Sequence, residues 1–486
     1  MVYAWEDLTL TAYIEWVSNW TLSVEETVSH YMNKAKNDTY NGWIHMHDDY
    51  VSKHLASFSD RLLHAAPIGI KDNILTKWYT STCWSKILKW YVAPYSATCF
   101  EKLETAWWLM LGKVNMDEFA MWASTEYSAY WNTLNPLDPT RVPGWSSGWS
   151  ASVVAADQCL AALGTETWGS VRQPAALCGL VGVKPSYGRI SRYGVQAMAA
   201  SINQVWTMTK TVDDAVLLFD AISGYDTKDA KSVQRNDAKQ RYEQLKRPDL
   251  TWIKCAVPNQ FMDDHLDPEI KATCEQAIAG LKQLWAEVDY IDLPILQYVV
   301  PTYYIIVPAE VSTDMARFDG LRFGMQDDTN AKDHIYDYYE SIRKQWFGDE
   351  VKRRIIVGSY VLSAGHYDAY YHKALHVVKK IKKEFSQVYK DYDAIIWPTT
   401  PSVAWKLWEK WDDPLQMYLE DIYTCAANLT GVPAMSVPIG TIEKEWHALP
   451  VWLQIMTDLR DEATMFGIGK QLENHIWFVR PKPIMK

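Results

Sequence analysis

The chain of 486 residues holds only 22 glycines, fewer than its 25 tryptophans. Average usage of about 7% would give roughly 34 glycines in a chain this long. Other scarcities exclude whole classes of protein. The seven cysteines, at 83, 99, 159, 178, 255, 274 and 425, include no Cys-x-x-Cys pair. That excludes a zinc ribbon or disulfide framework and points to reduced thiols in a cytoplasmic protein. Positive charge is in deficit, with a formal net charge of −11, so a direct grip on nucleic acid is a poor reading. No uninterrupted apolar run approaches a membrane span. The first residues carry Glu6 and Asp7 and lack the basic and apolar segments of a signal peptide.

Hydrophobic residues at 48% and charged ones at 22% are ordinary for a globular protein. Ser23-Val-Glu-Glu26 forms a capping box ahead of a helix from Val24. Thr211 caps a second helix that ends at Gly224, and Asp267-Pro268 starts a third. Pro67–Ile74, Ala286–Leu293 and Asp393–Pro398 read as strands, as does Trp252–Pro258. Helix and strand patterns alternate again over 300–400, and Asp461–Glu473 is a last amphipathic helix. Such alternation predicts an α/β architecture in one domain spanning 1–486. Its N-terminal helical region covers about 1–65, and the charged stretch at about 225–250 is a surface excursion. Residues 37–66 read as polar and irregular. Within them His45, His47, Asp48 and Asp49 raise the thought of a metal, but no second ligand cluster complements them, so a solvated loop is expected. Asp117 and Glu118 are adjacent and share no helix face, so a solvated or helix-N-terminal role is expected. The charges of 184–194 are expected to brace loops.

The chemistry concentrates in 143–172. Pro-Gly-Trp-Ser-Ser-Gly-Trp-Ser occupies 143–150 and Gly-Thr-Glu-Thr-Trp-Gly-Ser-Val-Arg occupies 164–172, flanking an Ala/Val-rich run. Small residues let backbone N–H groups approach a ligand, and two such loops can offer a serine nucleophile and an oxyanion hole. Gly144-Trp-Ser-Ser-Gly148 matches Gly-x-Ser-x-Gly, but that elbow needs a strand directly before it. Pro136, Pro139 and Pro143 rule one out. Upstream, Lys71 ends an apolar run where burial would lower its pKa. A lysine at a strand end is ordinarily a surface residue with a snorkelling stem, and only the serine loops set Lys71 apart.

With Lys71, Ser146 and Ser170 at these spacings, the chain resembles the amidase signature family. That family's loops read Gly-Gly-Ser-Ser-Gly-Gly-Ser and Gly-Thr-(Asp/Glu)-Thr-Gly-Gly-Ser-(Ile/Val)-Arg-Gln-Pro-Ala. The resemblance implies a large mixed central sheet covered by helices on both faces. It also implies a Ser–Ser–Lys triad: Ser170 as nucleophile, Ser146 as bridging serine with a cis peptide bond, and Lys71 as base. The N–H groups of Thr167, Trp168, Gly169 and Ser170 would form the oxyanion hole. Four stretches, 115–121, 317–322, 350–355 and 412–421, further resemble the A-subunit branch of the glutamyl-tRNA(Gln) amidotransferases. That branch implies glutamine held by Arg354 and Asp421 with Tyr303 close by, and no cofactor or metal in this chain. Its partners would be B and C subunits in a heterotrimer, with ATP, magnesium and tRNA belonging to the B subunit. A guanidinium and a carboxylate do complement the two charges of a free amino acid. The alternatives are a free-standing amidase and a catalytically dead scaffold.

The dead-scaffold alternative rests on the tryptophans. Trp145, Trp149 and Trp168 stand in the two loops where the family pattern has glycine. Trp285 stands at a helix end, where glycine is usual. Trp78, Trp90, Trp107, Trp122, Trp131, Trp206, Trp252, Trp346, Trp397, Trp408, Trp411 and Trp452 also match family glycines. Glycine at these sixteen positions would leave nine tryptophans and 38 glycines, close to ordinary usage. One cause would account for all of them: a codon, UGA, that the producing cell reads as glycine and the sequence as written renders as tryptophan.

Overall fold

The computed structural model describes residues 5–484 except 57–63, 123, 127, 235–241, 244–248, 264–265, 327–333 and 411. Much of the charged stretch 225–250, and Trp411, lie outside the described residues. The strands are β1 (Trp43–Met46), β2 (Pro67–Lys71), β3 (Leu109–Val114), β4 (Ala161–Glu166), β5 (Val181–Lys184), β6 (Gln204–Thr209), β7 (Lys254–Pro258), β8 (Glu287–Ile291), β9 (Ala394–Pro398), β10 (Ala434–Lys444) and β11 (His447–Thr457). Among the described residues they make one sheet in the order β1-β3-β2-β4-β6-β5-β10-β11-β9-β7-β8. It is mixed: β2 runs parallel to β3 and β4, and β7 runs parallel to β8 and β9, while the remaining pairs are antiparallel.

The central strands are short and buried on both faces. Every residue of β2, β3, β4 and β9 is buried, which is why they read as apolar runs without alternation. Where β5 meets β10, the two faces separate. Met435 and Val437 lie under Gly469 of the helix Glu462–Ile476. Ser436 pairs with Gly182, where a Cβ would stand 2.6 Å from that of Ala175 in the helix Arg172–Leu177. Successive strand residues therefore meet helices on opposite sides, as the α/β expectation requires.

The helix starts follow their caps. Ser23 Oγ accepts from Glu26 N at 3.3 Å, Thr211 Oγ1 from Asp214 N at 3.2 Å, and Asp267 Oδ1 from Glu269 N at 2.8 Å. Three expectations need correction. Residues 37–66 hold β1 and a helix, Asp48–Ala56. His47 is buried there against Tyr79, with ring centroids 4.2 Å apart, and burial pushes its pKa down to about 3. Residues 300–400 do not alternate: the helices Val299–Asp314, Ile335–Trp346, Asp349–Leu362 and Lys373–Val388 precede β9. The run of Val, Ile and Tyr in 299–311 has strand-like composition, but packing between helices decides its form. Asp117 and Glu118 do stand at a helix N-terminus, that of the short 3-10 turn Glu118–Ala120, but both are buried, not solvated. Glu118 bonds Ser85 Oγ and accepts from Gly348 N at 2.9 Å, and burial raises its pKa to about 7.

The helices Val299–Asp314 and Asp349–Leu362 cross at Gly358, where a Cβ would fall 1.8 Å from the carbonyl oxygen of Pro308. Only glycine permits that approach, which sets the distance between the two helices that carry Tyr303, Tyr304 and Arg354. We expect Gly358→Ala to cost about 1–3 kcal/mol by overpacking. The exposed neighbour Ser359 serves as control: Ser359→Ala should stay within roughly 0.5 kcal/mol in the same denaturant melt.

Candidate active site

The site grows from the end of β2. Lys71 is fully buried there, and its Nζ donates to Ser146 Oγ at 2.9 Å, Ser147 Oγ at 2.7 Å and the Thr165 carbonyl at 3.3 Å. Burial pulls its pKa down to about 7, against the opposing fields of Asp117 and Glu166. Asn73 Nδ2 donates to Thr165 Oγ1 at 2.9 Å, so the strand end is tied to β4 on both sides of the lysine.

The first serine loop is placed by its approach. Asn135 Nδ2 donates to the carbonyls of Val142 (3.2 Å) and Leu177 (3.0 Å), and Trp145 N donates to Gln173 Oε1 at 3.0 Å. The loop enters the helix Gly148–Ala155 with no strand directly before it, which rules out a nucleophile elbow. Contrary to expectation, the Ser146 peptide bond is trans, as are all others among the described residues. The trans form is the intrinsically favoured one, and the turn closes on it through Gly148 N donating to Trp145 O at 2.5 Å.

The second loop connects β4 to the helix Arg172–Leu177. Glu166 Oε2 accepts from Val171 N (3.1 Å) and Arg172 N (3.3 Å), and Glu166 pairs with the Arg172 guanidinium at 2.5 Å. This fully buried pair fixes the loop that carries Thr167, Trp168, Gly169 and Ser170. Gly169 sits at φ +144°, and a Cβ there would lie 2.4 Å from Thr424 Oγ1, which itself donates to the Trp168 carbonyl at 2.5 Å. Ser170 is buried and its Oγ has no hydrogen-bond partner, so the bonded chain Lys71–Ser146 does not extend to it.

The facing wall comes from distant helices. Arg354 is buried, and its Nε donates to Glu350 Oε1 at 2.7 Å, leaving both Nη groups without partners. Asp421 is buried and accepts from Tyr304 OH at 2.8 Å through Oδ2, while Oδ1 has no partner. Burial raises the Asp421 pKa well above its ordinary value, with Tyr304 and Arg354 acting against that. Tyr303 is buried beside them. Between this wall and the serine loops lies the Trp168 indole. Its ring centroid is 4.9 Å from Tyr303 and 5.0 Å from Trp145, and the Arg354 guanidinium stacks over it at 4.1 Å.

A buried hydroxyl beside a lysine-linked serine can perform acyl transfer. An arginine and an aspartate with spare polar atoms can hold a zwitterion. Among the described residues no group of three or more His, Cys, Asp or Glu side chains could hold a metal ion, and no helix is long and apolar enough to cross a membrane. Residues 26–466 match the family model described as Amidase. The chain belongs to the amidase family. It is 45% identical over 419 residues to the A subunit of glutamyl-tRNA(Gln) amidotransferase from Exiguobacterium sp., covering 86% of this chain and 85% of the relative. The same-named protein of Clostridium botulinum strain Okra is 47% identical over 420 residues, covering 86% and 85%. The crystal structure of the Thermotoga maritima protein of that name superposes with a TM-score of 0.81 at 36% identity, covering all of both chains. A 6-aminohexanoate cyclic dimer hydrolase shares the fold with a TM-score of 0.83 at 22% identity, covering 99% of each chain.

The structure brings Lys71 and Ser146 together and sets Tyr303 and Arg354 against the Trp168 indole, with Asp421 behind Tyr304. It adds residues that sequence reading of this amidase missed. Ser147 binds Lys71 as closely as Ser146 does, and the Ser-Ser doublet was its only signal. Tyr304, not Tyr303, bonds Asp421, a contact with no local signature because the pair lies 117 residues apart; Glu350 orients Arg354 from one helical turn earlier, and their i,i+4 spacing was the available signal. Lysine-selective NMR should find Lys71 titrating near 7 and Lys113, which burial brings to about 8, just above it. Lys71→Ala should remove the titration near 7 and leave that of Lys113 in place.

Proposed function

We propose that the chain is the glutaminase component of a glutamyl-tRNA(Gln) amidotransferase. The observation that carries the reading is the Lys71–Ser146 hydrogen bond inside a fold shared with proteins named as its A subunit. Identities of 45–47% over most of the chain support the assignment. Ser170 Oγ attacks the side-chain carboxamide of glutamine, and its proton passes through Ser146 to neutral Lys71. The tetrahedral oxyanion is held by the N–H groups of 167–170. Collapse breaks the C–N bond, the proton returns through Ser146 to the leaving nitrogen, and ammonia departs. Water then cleaves the Ser170 ester, releasing glutamate and restoring the hydroxyl. Arg354 takes the substrate's α-carboxylate and Asp421 its ammonium group, with Tyr303 beside them.

The ammonia passes to a B subunit, which uses ATP and magnesium to activate tRNA-bound glutamate; a C subunit completes a cytoplasmic heterotrimer. The chain itself needs no cofactor, and tRNA reaches the complex through the B subunit. The acidic net charge of −11 accords with that division. One observation favours a second reading, a scaffold without activity: the Trp168 indole fills the space between the serine loop and Arg354.

In the native complex, Ser170→Ala should abolish glutaminase activity, and Lys71→Ala and Ser146→Ala should each remove most of it, because linked groups fail as a unit. Near-normal turnover in Ser170→Ala would end the assignment. Activity should rise with pH through about 7, since the base works when Lys71 has lost its proton. Arg354→Ala and Asp421→Ala should raise KM for glutamine at least tenfold, as each leaves one substrate charge unpaired. Supplied ammonia should restore tRNA amidation in all these variants.

A further inference from the structure

We infer that the working protein carries glycine at twenty of the 25 tryptophan positions, the sixteen that match family glycines together with 20, 84, 446 and 477. At nine of the twenty the backbone makes this case independently of any family pattern; the other eleven rest on the match to family glycines. Nine tryptophans occupy the left-handed region, with φ between 51° and 78°: 20, 78, 84, 107, 252, 285, 408, 446 and 477. A bulky side chain there is an outlier, because its Cβ crowds the following carbonyl.

Their places in the fold are those that call for glycine. Trp20, Trp107 and Trp285 each stand one residue past a helix C-cap, after Leu10–Ser18, Thr98–Thr105 and Pro268–Gln283. Trp477 directly ends Glu462–Ile476 at φ 51°, ψ 53°. The left-handed residue that closes a helix is usually glycine. Trp446 is the second residue of the two-residue turn between β10 and β11, whose flanking pair is Lys444 and His447. Both turn residues have positive φ, Glu445 at 52° and Trp446 at 72°, the requirement of a type I′ hairpin that favours glycine in second place. Trp20, Trp446 and Trp477 are 81–97% exposed, so their indoles gain no packing that would offset the strain. Four of these nine positions, 20, 84, 446 and 477, are absent from the set nominated by sequence pattern. The five tryptophans outside the twenty, at 5, 16, 43, 108 and 405, all lie outside the positive-φ region. Trp43 also donates from Nε1 to Gln158 Oε1 at 2.8 Å, and Trp5 stacks on His30 at 4.8 Å, but side-chain contacts do not separate the groups, since Trp397, one of the twenty, donates from Nε1 to the Tyr423 carbonyl at 2.8 Å.

Position 168 carries the functional consequence, and that part alone rests on the function proposed above. Two of the residues assigned to grip substrate lie against the chain's own indole, Tyr303 at 4.9 Å and the Arg354 guanidinium at 4.1 Å from the ring. Glycine at 168 vacates that volume and leaves the two partnerless Nη groups of Arg354 facing it. Steric relief at the helix ends, the hairpin and the site thus follows from a single cause, one codon read as glycine.

Two measurements test this. In the gene, all twenty positions should use UGA and the five others UGG; a codon division that cuts across these groups overturns the inference. Peptide mass spectrometry of the protein purified from its own cells should find glycine at 145, 149, 168, 446 and 477, and tryptophan at 43. Tryptophan at 168 or 446 overturns it as well. Glycine there, together with a glycine-bearing complex that fails to hydrolyse glutamine, would sustain the inference and sink the proposed function instead.

Discussion

The arrangement depends on a cation placed where water does not reach. Lys71 ends an interior strand and spends its three hydrogen bonds on neutral oxygens: two serine hydroxyls and a carbonyl. Burial of an ammonium group without a carboxylate in contact favours the neutral amine, which is what brings its pKa to about 7. Each acceptor comes from a different constraint. Ser146 and Ser147 arrive on a proline-bound loop anchored by Asn135, and the Thr165 carbonyl comes from the parallel neighbour strand β4. A change that shifts β2 against β4 would disturb the lysine and both serines at once.

The opposite wall solves a different electrostatic problem. Arg354 and Asp421 are both buried, and each is held by one protein partner: Glu350 for the arginine and Tyr304 for the aspartate. Each also keeps polar atoms without a protein partner. Buried charges are expensive when unpaired. A wall that leaves one guanidinium face and one carboxylate oxygen unpartnered is therefore suited to a ligand carrying the complementary charges. Glycine at 358, tight against the Pro308 carbonyl, sets the helix spacing on which that wall depends.

Some features were legible without coordinates. Helix starts at Val24, Val212 and Pro268 could be read because capping is local chemistry, complete within four residues. The rejected elbow could be read because three prolines in nine residues exclude a strand whatever surrounds them. Residues 37–66 and 300–400 were misread for the opposite reason. The short β1 exists only because β3 offers a partner, and the Val/Ile/Tyr-rich helix at 299–314 exists because neighbouring helices bury it. Asp117 and Glu118 looked solvated because nothing in their neighbours announces that the segment is enclosed.

The sequence by itself determined the α/β class, the two serine loops, the amidase resemblance and the disagreement between tryptophan count and glycine positions. All of these are carried by composition, spacing and residues close in the chain. Only the tertiary structure decided that Ser147 shares Lys71 with Ser146, that Tyr304 holds Asp421, that the Trp168 indole lies under Arg354, and which further tryptophans stand at positive φ. Those facts join residues up to 186 positions apart, or depend on how a helix or hairpin ends. Packing settles such distances and backbone angles, and no local pattern encodes them.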